Sequence, residues 1–459
     1  MTGWLPDLIY RDGAFHSGVA MFADSSGRIS RFSSDAAGLA QAQRLPGCAL
    51  LPGLVNAHSH AFQRVIRGRT EHRTTQRDTF WTWRETMYRA AKLLSPEALY
   101  HAARMAFLEM LLGGVTTVGE FHYLHHAPDG APYQDRNLLA IQLLRAAADT
   151  GLRIALLRTA YARGGQACFL TPNPAGFIAD TEALRAAIPS ISKPDRAWVG
   201  VAPHSLRAVP LDYLLEVVHY ARSHDLPLHM HVSEQPADVE TCLAEYGLRP
   251  LALLHQHGVL DSRFTAVHAI HVTAEEIDYL AAAKSAVCAC PTTERNLGDG
   301  ICPADQLMSA GVPIALGSDS NVQIDLLEDA RELEYHLRLN RLERVVLTRE
   351  PAPDALANRL LTCATAAGAA SLAAPGGQLE VGRSADFFTV DLNDPSIAGS
   401  SPDSLASSIV FSLQRTAIRD VSVAGEFVIR GGHHPRAAEI VRNFDTVKTV
   451  IGKLPAGCV

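Results

Sequence analysis

No segment of this chain holds the roughly 20 uninterrupted apolar residues that a membrane helix requires, so a spanning role is not expected. Its first residues, MTGWLPDLIYRDG, lack the basic stretch followed by an apolar one that marks a secretory leader, which makes the cytoplasm the expected compartment. Nor is there a basic excess. The formal charge of -7 argues against nucleic acid or an anionic membrane as partner, because both need a basic face. An anionic substrate would therefore have to meet local cationic side chains. Short repeats and low-complexity tracts are absent, which excludes repeat and fibrous architectures. The 8 cysteines are scattered, mostly in apolar segments such as Val287-Cys288-Ala289-Cys290. That placement fits small reduced core residues rather than a disulfide framework.

What is present is a regular alternation of apolar strand-like runs with helical patterns. Strands are expected over 50–56, 115–120, 153–159, 198–202, 227–231, 264–268, 286–290 and 312–317. Helical patterns separate them near 95–112, 137–150, 211–223, 237–257, 273–283 and 326–339; the first opens with Ser95 as cap and Pro96 in the first turn and stops at Gly113-Gly114. Eight buried strands alternating with helices are what an α/β fold of the (β/α)8 barrel type requires, with a doubly wound open sheet as the alternative. With 459 residues and 47% hydrophobic content, the chain suits one large barrel plus a modest second domain. Both chain ends instead show short strand-and-turn patterns, including 386–390 and a hairpin across Ala424-Gly425-Glu426. The expected division is 1–49 as the N-terminal part of a small β-sandwich, 50–375 as the barrel, and 376–459 as the rest of the sandwich with a terminal helix.

His58-Ser59-His60 follows the first strand, and residues two apart in extended chain face the same side, so both imidazoles can reach one metal ion. In a chain with 20 histidines that pair alone is a weak signal. It gains weight because His231, His268 and Asp319 each fall at the C-terminal end of another expected strand, and in a barrel those ends converge on the rim where active sites sit. Imidazole plus carboxylate ligation suits zinc first, with iron or manganese as further options. The fourth strand ends Pro203-His204-Ser205, without a lysine or acid to bridge a second ion, which favours one metal. Glu234, three residues after His231, reads either as a first-turn helix acid or, beside a ligand, as a proton shuttle.

These residues resemble the amidohydrolase superfamily: HSH after strand one, His-x-x-Glu at strand five, His at strand six and Gly-Ser-Asp-Ser at strand eight. The longer strings Ala57-His58-Ser59-His60-Ala61-Phe62-Gln63-Arg64, Phe80-Trp81-Thr82-Trp83-Arg84-Glu85 and Glu120-Phe121-His122-Tyr123-Leu124-His125 resemble the formimidoylglutamate deiminase family of histidine degradation. The resemblance implies a single zinc held by His58, His60, His231 and Asp319, with Glu234, His268 and Asp319 catalytic. It implies hydrolysis of N-formimino-L-glutamate, with Asp319 taking a proton from an activated water, His268 orienting the nucleophile and Glu234 protonating the departing nitrogen. It also implies that Arg207 and Tyr123 hold the α-carboxylate while Gln63 and His204 line the pocket. An arginine pairs a carboxylate in a two-pronged way that lysine cannot. Arg84 is the candidate for a second carboxylate, from its own subunit or a neighbouring one. A homodimer is expected from the resemblance and from the exposed-looking segment of Trp81 and Trp83.

His122, His125 and His126 crowd one loop without a matching carboxylate and are read as supporting or solvated groups, and His433-His434, after a Gly-Gly turn, as exposed. Cys288-Ala289-Cys290 has no second cysteine pair, so packed small residues are favoured over a soft-metal site. The His-x-Glu and Pro-Cys-x-x-Cys pattern of zinc nucleobase deaminases is missing. The competing enzyme reading is a superfamily deaminase acting on a purine or pterin ring; a catalytically inactive scaffold barrel is the alternative of another class.

Overall fold

Gly53 is where the chain changes sheet. The alternation over 50–56 suggests one strand, yet in the computed structural model, which describes residues 2–73 and 75–452, that run is cut in two. Gln43–Pro52 belongs to a flanking sheet and Leu54–Ser59 begins the barrel. A Cβ on Gly53 would lie 2.2 Å from Thr116 Oγ1, so the crossing point has no room for a side chain. Apolar periodicity carries no label for the sheet a residue joins, which is why the break is invisible in the pattern.

The barrel strands are Leu54–Ser59 (β1), Val115–His122 (β2), Arg153–Ala160 (β3), Ala197–Pro203 (β4), Leu228–Val232 (β5), Phe264–His268 (β6), Ala286–Ala289 (β7) and Ile314–Leu316 (β8). Each pairs in parallel with the next in sequence, so chain order is sheet order. Every residue of β2 and β3 is buried, as expected of barrel strands covered on both faces. Closure falls to the segment after β8: Ser59 bridges Asp319 in parallel, Asp319 N donates to His58 O at 3.0 Å, and His60 N donates to Asp319 O at 2.9 Å. The seam of the barrel is thus made by residues of the expected metal site.

Two helices bear on that site. Phe80–Leu93 (α1) follows β1, and Pro236–Tyr246 (α2) follows β5. The helix expected over 237–257 is two helices, α2 and Pro250–Gln256, because Gly247 turns left-handed at φ 71° and Pro250 has no backbone donor. The pattern over 95–112 is one helix, Pro96–Leu112, with the Ser95 hydroxyl accepting from Ala98 N.

Both chain ends meet in one flanking eight-stranded sheet, where Gln43–Pro52 pairs antiparallel with Phe387–Asp391 around a core that includes Trp4, Met21, Leu50 and Phe387. Ile418–Val423 and Glu426–Ile429 form the expected hairpin, with Ala424 and Gly425 at φ 48° and 75°. Arg153, at the base of β3, fastens this sheet to the barrel through bonds of 3.1 Å from Nε and 3.0 Å from Nη2 to the Asp386 carboxylate, both partners fully buried. The terminal helix Ala437–Ile451 packs Ile440, Phe444 and Val447 inward; of the segment expected over 376–459, residues 453 onward lie outside the described part. All seven described cysteines are buried and unpaired. No helix among the described residues is long and apolar enough to cross a membrane.

Candidate metal centre and active site

The C-terminal ends of β1, β5 and β6 and the segment after β8 bring His58, His60, His231, His268 and Asp319 to one rim. His58 Nε2 lies 3.2 Å from both His60 Nε2 and His231 Nε2, and Asp319 Oδ1 lies 3.3 Å from the Nε2 atoms of His58 and His60. The outer nitrogens settle two tautomers. His60 Nδ1 donates to Phe121 O at 2.8 Å and His231 Nδ1 to His204 O at 3.1 Å; a carbonyl only accepts, so in both rings the inner Nε2 presents a lone pair. Burial lowers all three imidazoles from their usual pKa, His58 to about 3 and His231 well below it, so they are neutral at pH 7. The inward lone pairs of His60 and His231 and the Asp319 carboxylate, converging out of water around His58 Nε2, suit a cation. The four donor atoms, within 4.8 Å of one another, fit one divalent metal ion, and the backbone carbonyls on the outer nitrogens are the kind of partners that orient such ligands.

The backbone is strained where these donors sit. His268 and Asp319 take φ of 71° and 43°, and Ser233 takes 51°, a left-handed region costly for residues with a Cβ and concentrated at functional sites. Asp319 stays below the usual carboxylate range: burial pushes it up, but the His58 hydrogen bond and the nearby imidazoles outweigh that.

Glu234, just after β5, is buried and lies with Oε1 3.8 Å from His268 Nε2. Burial raises its pKa to about 7, partly opposed by His268. His268 also lies 3.8 Å from Asp319 Oδ2 through Nε2 and 3.2 Å from Glu294 Oε1 through Nδ1. Burial pulls its pKa down, yet Glu234, Glu294 and Asp319 together hold it well above the ordinary value. His268, Cys290 and Glu294 form a second cluster with metal-ligand chemistry. Its Glu294 oxygen already accepts from His268 and, at 2.8 Å, from Cys290 N, so the cluster is satisfied without an ion.

Above the donors lies a pocket open to the rim. Glu234, His268, Asp319, His60, His231, Gln63, Arg84, Tyr123, His204 and Arg207 all border it, whereas His58 lies beneath, fully buried. Gln63 Nε2 donates to Tyr123 Oη at 2.8 Å. Arg207 Nε pairs with Asp238 Oδ1 at 3.2 Å. Arg84 places its guanidinium carbon 4.5 Å from the Trp81 ring centre and 5.2 Å from that of Tyr88, and its buried Nε has no partner among the described residues.

Several expectations change here. Arg84, carried by α1, borders the pocket of its own chain. Trp81 and Trp83 are half-buried rather than exposed, and Trp83 borders the pocket. His122 and His125 are buried, the latter bonded through Nε2 to Thr159 O at 2.8 Å, and neither borders the pocket. His434 is buried too, donating to Thr150 O at 3.1 Å, while His433 is exposed. Sequence reasoning missed Tyr88, Tyr161 and Phe169 in the pocket wall, because aromatics in helices and loops read as core. It missed Glu294 and Asp238 because an acid in a first helical turn reads as a cap.

The amidohydrolase family model matches residues 49–428. A formimidoylglutamate deiminase of Pseudomonas aeruginosa is 39% identical over 410 residues, 88% of this chain and 89% of that one. An 8-oxoguanine deaminase of the same organism is 31% identical, covering 76% of each. A solved amidohydrolase from Brucella melitensis superposes with a TM-score of 0.90 at 32% identity, covering 98% of this chain and 100% of that chain.

Proposed function

The chain belongs to the amidohydrolase family, and from that premise we propose that it hydrolyses the amidine of N-formimino-L-glutamate, releasing ammonia and leaving N-formyl-L-glutamate, a step of histidine degradation. The observation that carries this reading is the pair of guanidinium groups, Arg84 and Arg207, in the same pocket as the His/Asp donors. A hydrolytic centre at one end and two carboxylate anchors at the other suit a dicarboxylate with a C–N bond at its far end. The Pseudomonas aeruginosa relative, 39% identical, supports the same substrate.

One zinc ion among His58, His60, His231 and Asp319 would polarise the substrate and make a water acidic enough to attack at neutral pH; iron or manganese suits the same donors. Asp319, kept below the usual carboxylate range chiefly by the His58 hydrogen bond, accepts the proton of the attacking water. The water oxygen bonds to the formimino carbon while His268, held beside Glu294 and Asp319, orients it. Glu234, with a pKa of about 7, gives its proton to the terminal nitrogen; the proton held by Asp319 then passes to the same nitrogen as the hydroxyl proton returns to Glu234, the C–N bond breaks while the carbonyl forms, and ammonia leaves. Tyr123, fixed by Gln63, and Arg207 hold the α-carboxylate, Arg84 holds the second, and His204 closes the wall beside Tyr161, ring centres 4.5 Å apart.

A ring deaminase is the second reading, favoured by the aromatic wall of Phe80, Trp83, Tyr88 and Phe169 and by the 8-oxoguanine deaminase relative. Ammonia release decides between them: the proposal expects turnover of N-formimino-L-glutamate and none of 8-oxoguanine or adenosine, and the reverse pattern overturns it. Metal analysis excludes an inactive scaffold if one zinc per chain is found. The reading includes a cytoplasmic setting, supported by the seven described free cysteines. It also includes a homodimer. Leu339 and Leu342, 78% and 92% exposed near the end of Leu326–Arg341, are apolar surface of the kind dimers cover, and sedimentation should give the mass of two chains.

A further inference from the structure

Arg207 sits on the loop after β4, and Asp238 sits in the first turn of α2, after β5. Asp238 uses both oxygens. Oδ1 accepts from Arg207 Nε at 3.2 Å, and Oδ2 accepts from the backbone N of Gln235 at 3.2 Å. Gln235 directly follows Glu234, so one carboxylate ties the arginine of one rim loop to the acid of the next. Among the described residues Asp238 is the single carboxylate in ion-pair range of Arg207. The two side chains are 19% and 17% exposed, so water competes weakly for the contact.

A guanidinium has one Nε–H and two Nη groups in a planar fork. With Nε committed to Asp238 and the Tyr161 hydroxyl also within hydrogen-bond reach of the guanidinium, the remaining Nη–H donors are left for a second carboxylate, and their direction is set by the bond on the other side. Trp81, its ring centre 5.9 Å from the Arg207 guanidinium carbon, limits swing out of that plane. We propose that Asp238 is a positioning residue for substrate selection: it aims Arg207 and fixes its separation from Glu234, so that the enzyme takes amidines whose carboxylate lies one set distance from the reacting carbon. This rests on the reading of Arg207 as the α-carboxylate anchor.

The test compares two substrates on the zinc-loaded full chain, N-formimino-L-glutamate and N-formimino-4-aminobutyrate, which lacks the α-carboxylate. Asp238→Asn keeps the side-chain size but can accept only one of its two bonds without turning an N–H toward a donor. We expect D238N to raise KM for the dicarboxylate about tenfold or more, as for a lost bond to a charged group, with a smaller change in kcat and little change for the monocarboxylate. In an Arg207→Ala background D238N should add almost nothing, and Asp238→Glu should recover part of the selectivity. Because the readout is a ratio between two substrates, partial loss of folded protein does not move it. Equal losses on both substrates, or full additivity with R207A, mean that Asp238 is merely structural and overturn the inference alone. Failure of the wild type to turn over the dicarboxylate overturns the proposed function, and this inference with it.

Discussion

At the scale of the residue, Glu234 carries the sharpest consequence. It is not one of the four converging donors, so Glu234→Gln should leave bound metal unchanged while lowering kcat by roughly 10²–10⁴, the usual worth of a positioned general acid. Burial favours its protonated form up to about pH 7, and the reaction needs that proton, so kcat should fall as pH rises through about 7. That limb should vanish in E234Q; if it persists unchanged, another group delivers the proton. His58, His60, His231, His268 and Asp319 were legible because imidazole and carboxylate stand where strands end and apolar runs stop, an arrangement core packing does not explain. Tyr88, Tyr161, Asp238 and Glu294 were not, because their types and local settings equally describe core aromatics and helix-capping acids. Only the fold reveals which of those point into the pocket.

At the scale of the element, the strands were read almost to their ends because both faces of a barrel strand are buried and each becomes a short apolar block. The exception is the first, where one apolar block serves two sheets and the hinge between them is Gly53. A Cβ there meets Thr116 Oγ1 at 2.2 Å and Cγ2 at 2.4 Å, so Gly53→Ala must displace β2 near the start of the barrel. A loss of about 1–3 kcal/mol is expected, as for other overpacked sites, with a lower thermal midpoint as the readout; an unchanged midpoint would mean that β2 yields freely. The split of 237–257 into two helices shows the complementary failure. Its apolar spacing runs on through Gly247 and Pro250, and the geometry of those two residues, not the spacing, decides the break.

At the scale of the whole molecule, a barrel and a sheet built from both chain ends are joined by a buried ion pair, Arg153 with Asp386. Asp386→Ala would strand the Arg153 charge in the interior, for a loss of about 3–5 kcal/mol read as a fall in the unfolding midpoint; a small loss would mean that water reaches the guanidinium. That contact was beyond the sequence, since its partners are 233 residues apart, whereas the meeting of the two ends was foreseeable from their shared strand-and-turn texture. The barrel converges the donors, and helix α1 and the loop after β4 supply the two guanidinium groups that border the same pocket, the arrangement on which the proposed substrate rests. The most direct test of that account is product analysis after zinc-loaded protein is incubated with N-formimino-L-glutamate. The account predicts ammonia and N-formyl-L-glutamate in equal amounts. Formamide with glutamate would contradict the assignment of the leaving nitrogen, and no turnover by metal-replete protein would contradict the substrate itself.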